Sequence, residues 1–81
     1  MSYDLLSRIT IVLDHPKNVV NIAGVTRVMQ NFGLKTLRLV NPEEFDPYRI
    51  EGIAHRSTDL INATTLHATL QDAVGDTSFI L

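Results

Sequence analysis

Hydrophobic positions fall into short runs separated by polar turns, and the period of the runs changes along the chain. Arg8 to Leu13 (RITIVL) is dense in β-branched side chains and is followed by Asp14-His15-Pro16, which predicts a buried strand. From Asn18 to Phe32 the spacing lengthens. Ile22, Val25, Val28, Met29 and Phe32 recur at helical intervals on one predicted arc, Asn18 or Asn21 is placed to cap the start, and Gly33 stands where a left-handed helix end belongs. Thr36 to Val40 (TLRLV) predicts a second strand, stopped by Asn41-Pro42 because proline breaks a ladder and restricts the residue before it.

An acidic loop, Glu43 to Pro47, leads into a stretch from Tyr48 to Ala63 with apolar points at Ile50, Ile53, Ala54, Leu60 and Ile61, expected to be a helix followed by an irregular turn. Thr64 to His67 suggests a short strand. Thr69 then offers a hydroxyl cap with Asp72 three residues on, Gly75 is expected to close a helix of barely two turns, and Thr77 to Leu81 (TSFIL) begins another strand. The resulting order, β-α-β-α-β-α-β, implies an α/β domain over residues 1–81, with a parallel sheet, right-handed crossovers and flanking helices. Parallel sheets place ligands beyond the carboxyl ends of their strands, and after Phe79-Ile80-Leu81 this sequence offers nothing to fill that place. The expectation is a chain cut in mid-architecture.

Composition narrows the function classes. With 81 residues, 44% hydrophobic and 20% charged, the chain suits one small globular domain. A domain of this size hides only roughly 60 to 65% of its unfolded surface, so a partner surface is expected. Cysteine is absent, which excludes disulfides and thiolate metal sites and fits a reducing cytoplasm. Met1 to Leu6 lacks the features of an export signal, and no apolar run approaches the roughly 18 residues of a membrane span. The formal net charge of −2 means that any nucleic-acid contact has to be local. Taken singly, the scattered cations Arg8, Lys17, Arg27, Lys35, Arg38, Arg49 and Arg56 read as solvated surface positions.

The junction between the first strand and first helix, Asp14 to Arg27 (DHPKNVVNIAGVTR), gathers polar residues where α/β sheets put their sites. Asn21 brings an amide that donates and accepts. Arg27 brings a planar cation suited to phosphate, with the backbone donors of the helix start expected nearby. Lys17 and Asn18 complete the candidate RNA-binding set. An asparagine at a helix start also serves as a cap, and six residues along an ideal helix turn through about 240°, so the two side chains share a stripe only if Asn21 precedes the helix. Asp14 and His15 read as a turn aspartate and an exposed histidine, because no Ser or Cys nucleophile sits in a recognisable elbow. His55 and His67 lack a third ligand, so no metal is expected, and neither a G-x-G-x-x-G nor a Walker loop is present.

Residues 11–42, IVLDHPKNVVNIAGVTRVMQNFGLKTLRLVNP, resemble the first motif region of SpoU-type (TrmH-like) RNA 2′-O-ribose methyltransferases of the SPOUT superfamily. That pattern is a strand, a proline, N-x-G-x-x-x-R, F/M-G, and a second strand ending in V-N-P. Asn21, Arg27, Phe32, Gly33, Val40, Asn41 and Pro42 fall on it, and Asp59-Leu60-Ile61 with Ala63 and the short helix Leu70 to Val74 also fit. The resemblance implies the N-terminal part of an α/β-knot fold, a tRNA or rRNA substrate, and a homodimer. For Asn21 it implies a part in shaping the active site, and for Arg27 a catalytic part near the target ribose. The S-adenosyl-L-methionine pocket would be built from later motifs, a Glu-Gly-rich loop and a Ser-Asn-containing terminal segment, so this chain alone is not expected to methylate. It departs from the pattern at Val19-Val20, where Pro-Gly is usual, and at Ala23-Gly24, where Gly-Ala is usual. Losing a glycine there would remove access to positive φ. The alternative reading is a non-enzymatic α/β RNA-binding or assembly module in which Arg27 pairs with an acid.

Overall fold

The computed structural model describes residues 8–75 and 78–81. Met1 to Leu6 and Thr77, on which two of the expectations above fall, lie outside the described residues. β1 (Thr10–Asp14) begins two residues later than its apolar run. Its first four residues are buried, because both of its faces are covered and both of its edges are paired. Parallel β2 (Thr36–Val40) lies on one side, with Thr10 opposite Thr36, and parallel β4 (Ser78–Ile80) on the other, with Thr10 opposite Ser78. β3 (Thr65–His67) pairs parallel with β2, giving the order β3-β2-β1-β4. The expected parallel α/β sheet is therefore present.

α1 (Val19–Phe32) connects β1 to β2. Asn18, extended at φ −152°, caps it by accepting the Asn21 N–H at 3.0 Å. Gly33 at φ 74° ends it: its N–H donates to the Gln30 carbonyl at 3.2 Å and the Leu34 N–H donates to the Met29 carbonyl at 2.9 Å, the paired bonds of a Schellman ending. The face turned to the sheet differs from the predicted arc. Val19, Ile22, Ala23, Thr26 and Met29 are buried, whereas Val28 and Phe32 are 52% and 64% exposed. Small Ala23 and Thr26 let the helix backbone approach the sheet, and the Thr26 hydroxyl donates to the Ile22 carbonyl at 2.8 Å, so it is buried without an orphaned polar group.

The stretch from Tyr48 to Ala63 resolves into two helices, α2 (Pro47–Ile53) and α3 (Thr58–Ala63). Asp46 caps α2 by accepting from the N–H groups of Tyr48 and Arg49 at 3.1 and 3.3 Å, with Pro47 at the first turn where its missing N–H costs nothing. Between the helices Arg56 stands at φ 65°, a left-handed conformation unusual for a side chain of its size. α4 (Leu70–Ala73) is capped by the Thr69 hydroxyl, which accepts the Asp72 N–H at 3.1 Å. It ends at Val74 rather than Gly75. Gly75 instead donates its N–H to Ser78 Oγ at 2.8 Å, and Arg38 Nη1 donates to the Ala73 carbonyl at 2.9 Å, satisfying the helix end.

These connections divide the sheet. Ile11, Leu13, Leu37 and Leu39 pack with α1, α2 and α3 in the larger core, while Val12 and Val40 face the other way, against Ala73 and Leu70 of α4. Strands β1, β2 and β3 step in one direction and the α4 crossover returns to the far side of β1, so the chain reverses direction between β1 and β4. Two helix residues test the observed burial. Met29→Ala is expected to lower unfolding stability by about 2–5 kcal/mol, and Phe32→Ala by no more than about 0.5 kcal/mol, read from urea midpoints.

Candidate functional site

The carboxyl ends of β1 and β2 carry two residues in the left-handed region, His15 at φ 56° and Asn41 at φ 43°. Both have their N–H groups bonded across the sheet, His15 to the Val40 carbonyl at 2.8 Å and Asn41 to the His67 carbonyl at 2.9 Å. The side chains are engaged too. Asp14 and His15 bond each other, Asn41 Nδ2 donates to the Ala68 carbonyl at 2.6 Å, and His67 Nδ1 meets Asp72 Oδ2 at 2.7 Å. Thr65 Oγ1 lies 2.7 Å from His67 Nε2, so Thr65, His67 and Asp72 have the connectivity of a hydroxyl–imidazole–carboxylate relay. Thr65 lies exposed on the outermost strand, and the Asp72–His67 bond ties α4 to β3. Its geometry is that of a clasp. Among the described residues no group of three or more His, Cys, Asp or Glu side chains is placed to hold a metal, and no helix is long and apolar enough to cross a membrane.

The start of α1 is already occupied. The Val19 N–H donates to Glu44 Oε1 at 3.1 Å, and Glu44 Oε2 accepts from Arg49 Nη1 at 3.0 Å. A carboxylate from the β2–α2 loop thus sits on the positive end of the helix, where an anionic ligand was expected to find free donors. Asn18 spends its side-chain oxygen on the Asn21 N–H. Lys17 and Asn21 are exposed. Asn21 lies within the first turn of the helix, not in a loop before it, and its neighbour Ala23 is fully buried, so the glycine usual at that position is replaced by a methyl group packed in the core.

Arg27 lies farther along, exposed on the flank of α1. It lines a cleft of about 350 Å³ with Gln30 and Asn31 of α1 and with Ile53 and His55 at the end of α2. Asn21 does not line it. The six-residue step separates Asn21 from Arg27 by about 9 Å of rise and about 240° of rotation, so the two candidates are not brought together on one face. The sequence reading missed Glu44 and His55. Glu44 reaches a partner 25 positions away, and nothing in a local pattern signals that. His55 was weighed only as a metal ligand.

No family model matches the chain. It is 36% identical over 77 residues to the tRNA (cytidine/uridine/adenosine-2′-O-)-methyltransferase TrmJ of Pseudomonas aeruginosa, a match covering 95% of this chain and 30% of that protein. It is 26% identical over 77 residues to the tRNA (cytidine-2′-O-)-methyltransferase TrmJ of Methanocaldococcus jannaschii, covering 95% of this chain and 34% of that one. The crystal structure of TrmJ from Z. mobilis superimposes with a TM-score of 0.78 at 30% identity, over 86% of this chain and 32% of that one. The chain thus spans about a third of the length of the methyltransferases it matches, and the resemblance drawn from its motifs holds over nearly all of its own length.

The two roles offered for Asn18, helix cap and RNA ligand, separate by substitution. Asn18→Ala is expected to destabilise the fold by about 1 kcal/mol, and Asn18→Ser, which keeps a capping oxygen, to recover most of that loss in a thermal melt.

Proposed function

We propose that this chain, homologous to about a third of the TrmJ-type tRNA 2′-O-methyltransferases, forms the RNA-substrate-side segment of an S-adenosyl-L-methionine-dependent RNA 2′-O-ribose methyltransferase. The observation that carries this is the placing of Arg27. Its guanidinium is exposed beside a cleft, and among the described residues it makes no ion pair within 4.0 Å. A helix-borne cation with no hydrogen-bond partner among the described residues suits bidentate contact with a phosphate next to the target ribose. Asn21, exposed about 1.7 turns earlier, is assigned to shaping the ribose site, and Lys17 and Asn18 to the RNA approach. The substrate is tRNA or rRNA, and the compartment is the cytoplasm, which the absence of cysteine suits.

The methyl donor is a separate matter. An adenosyl group needs an apolar slot with backbone donors aimed into it. At the carboxyl edge of this sheet Asp14 and His15 are bonded to each other, the Asn41 amide to the Ala68 carbonyl and His67 to Asp72, and Phe79, Ile80 and Leu81 are 55%, 50% and 65% exposed. The residues present do not fit the donor, and no step is derived through it.

A homodimer belongs to the same proposal. Val20, Gly24, Val28 and Phe32 recur every four residues on the outer face of α1, with Val20, Val28 and Phe32 each more than half exposed. An apolar stripe of this kind on a small domain calls for a covering surface, and a second copy presents the same stripe.

Three measurements test the proposal. In a complete parent enzyme Arg27→Ala should abolish methyl transfer with a stability change within about 0.5 kcal/mol, and Arg27→Lys should rescue poorly because an ammonium lacks the fork. Near-normal turnover in Arg27→Ala would remove the assignment. Calorimetry of the 81-residue chain should show no S-adenosyl-L-methionine binding in the roughly micromolar range. Sedimentation over a concentration series should show self-association that Val28→Glu weakens without lowering the unfolding midpoint; a monomer throughout would end the dimer proposal.

A further inference from the structure

The cleft beside Arg27 has a second one next to it. Gln30 lines both, and the second, of about 460 Å³, runs round the end of α1 past Gly33 and Lys35 to Arg56 and Asp59 of the α2–α3 region. Four basic side chains, Arg27, His55, Arg56 and Lys35, therefore border the two adjoining clefts, and the one acid among the lining residues is Asp59.

Two cations away from the clefts are engaged elsewhere. Arg49 is paired with Glu44, and Arg38 is bonded to the Ala73 carbonyl. Among the described residues Arg27, Lys35 and Arg56 take part in no ion pair within 4.0 Å. In a chain of net charge −2, three such cations round two adjoining clefts make a local positive field that the composition does not suggest.

Arg56 is the most telling of them. It occupies φ 65°, where glycine would be easier, and no packing requirement accounts for a large cation there, since the residue is exposed. Its carbonyl accepts a hydrogen bond from Gln30 Nε2 at 2.6 Å, which ties the α2–α3 loop to α1 and holds Arg56 at the cleft. The strained backbone thus presents a charge.

We propose that the two clefts form one basic track on which the phosphate backbone of the RNA substrate lies, entering at Arg27 and continuing past His55 and Arg56 to Lys35. This rests on the RNA reading above. An extended polyanion fits because the charges follow one another along the side of α1, covering about 9 Å of helix rise from Arg27 to Gly33, rather than converging on a point as for a small anion. No Phe, Tyr or Trp is among the residues lining either cleft, so the track is assigned to backbone contact rather than to base stacking.

The test is the salt dependence of binding by the full 81-residue chain, using bulk tRNA and a poly(U) oligonucleotide as probes. Each lost phosphate contact should reduce the slope of log K against log salt by about 0.7–0.9. Arg56→Gly and Lys35→Ala are each expected to produce a loss of that size, and the double variant about twice it. Arg56→Lys should keep the wild-type slope, and Asp59→Asn should tighten binding at low salt. Arg56→Gly relieves the positive φ while removing the charge, so its unfolding midpoint should hold or rise, which separates lost binding from lost fold. An unchanged slope in the double variant overturns the track. If Arg27→Ala still abolishes binding in that case, the RNA reading survives without it; if wild type shows no salt-dependent binding to either probe, both fall. Equal competition by polyglutamate of matched length would point to an acidic protein segment and would also overturn the proposal.

Discussion

A central strand of a parallel sheet needs both faces covered, and β1, paired on both edges, meets that demand with two different cores. Four of its five residues are buried, and they point alternately into two different cores. Everything else is arranged around that strand. α1, α2 and α3 shield Ile11 and Leu13, while on the opposite side Val12 is covered by a helix of only four residues. The inequality matters because the thin side relies on polar ties, the Arg38 bond to the end of α4 and the His67–Asp72 clasp, to hold a helix too short to be stable by its own hydrogen bonds.

α1 distributes three duties round its circumference. Val19, Ile22, Ala23, Thr26 and Met29 face the sheet; Val20, Gly24, Val28 and Phe32 form the outer apolar stripe; Arg27, Gln30 and Asn31 occupy the flank beside α2. Phe32 stands on the motif that carried the resemblance, yet it contributes little to the core. Its place on the stripe gives the side chain a different use, and the Gly33 ending that follows it fixes where the stripe stops.

Local chemistry was legible in the sequence. β2 runs from Thr36 to Val40 as its pattern predicts, because Asn41-Pro42 leaves no other stopping point; the caps at Gly33 and Thr69 follow from residue types alone, and Asn18 is one of the two asparagines that residue type offers for the start of α1. What depends on distant contacts was not legible. Periodicity establishes a helix over 18–32 but not its phase, and Thr26 counts as polar until its hydroxyl is seen bonded within its own helix. The break between α2 and α3 falls at an arginine rather than a glycine, so no turn signal marks it. For the candidate site, Arg27 was identified by motif, but its neighbours come from the far end of α2, and the occupation of the α1 start by Glu44 depends on a loop 25 positions away.

The strand order also governs how the chain reaches this structure. Thr10 pairs with Thr36 on one side and with Ser78 on the other, so the central strand acquires its two neighbours at very different sequence separations. β1, α1 and β2 can assemble as a unit of about thirty residues, but the second edge of β1 stays unpaired until nearly the whole described chain has been made. Closing that distant pairing carries a loop entropy that local contacts do not. A nascent chain therefore passes through a stage in which its most apolar strand has one bare edge, although the residues that tie α4 in place, Arg38, His67 and Asp72, have already been made.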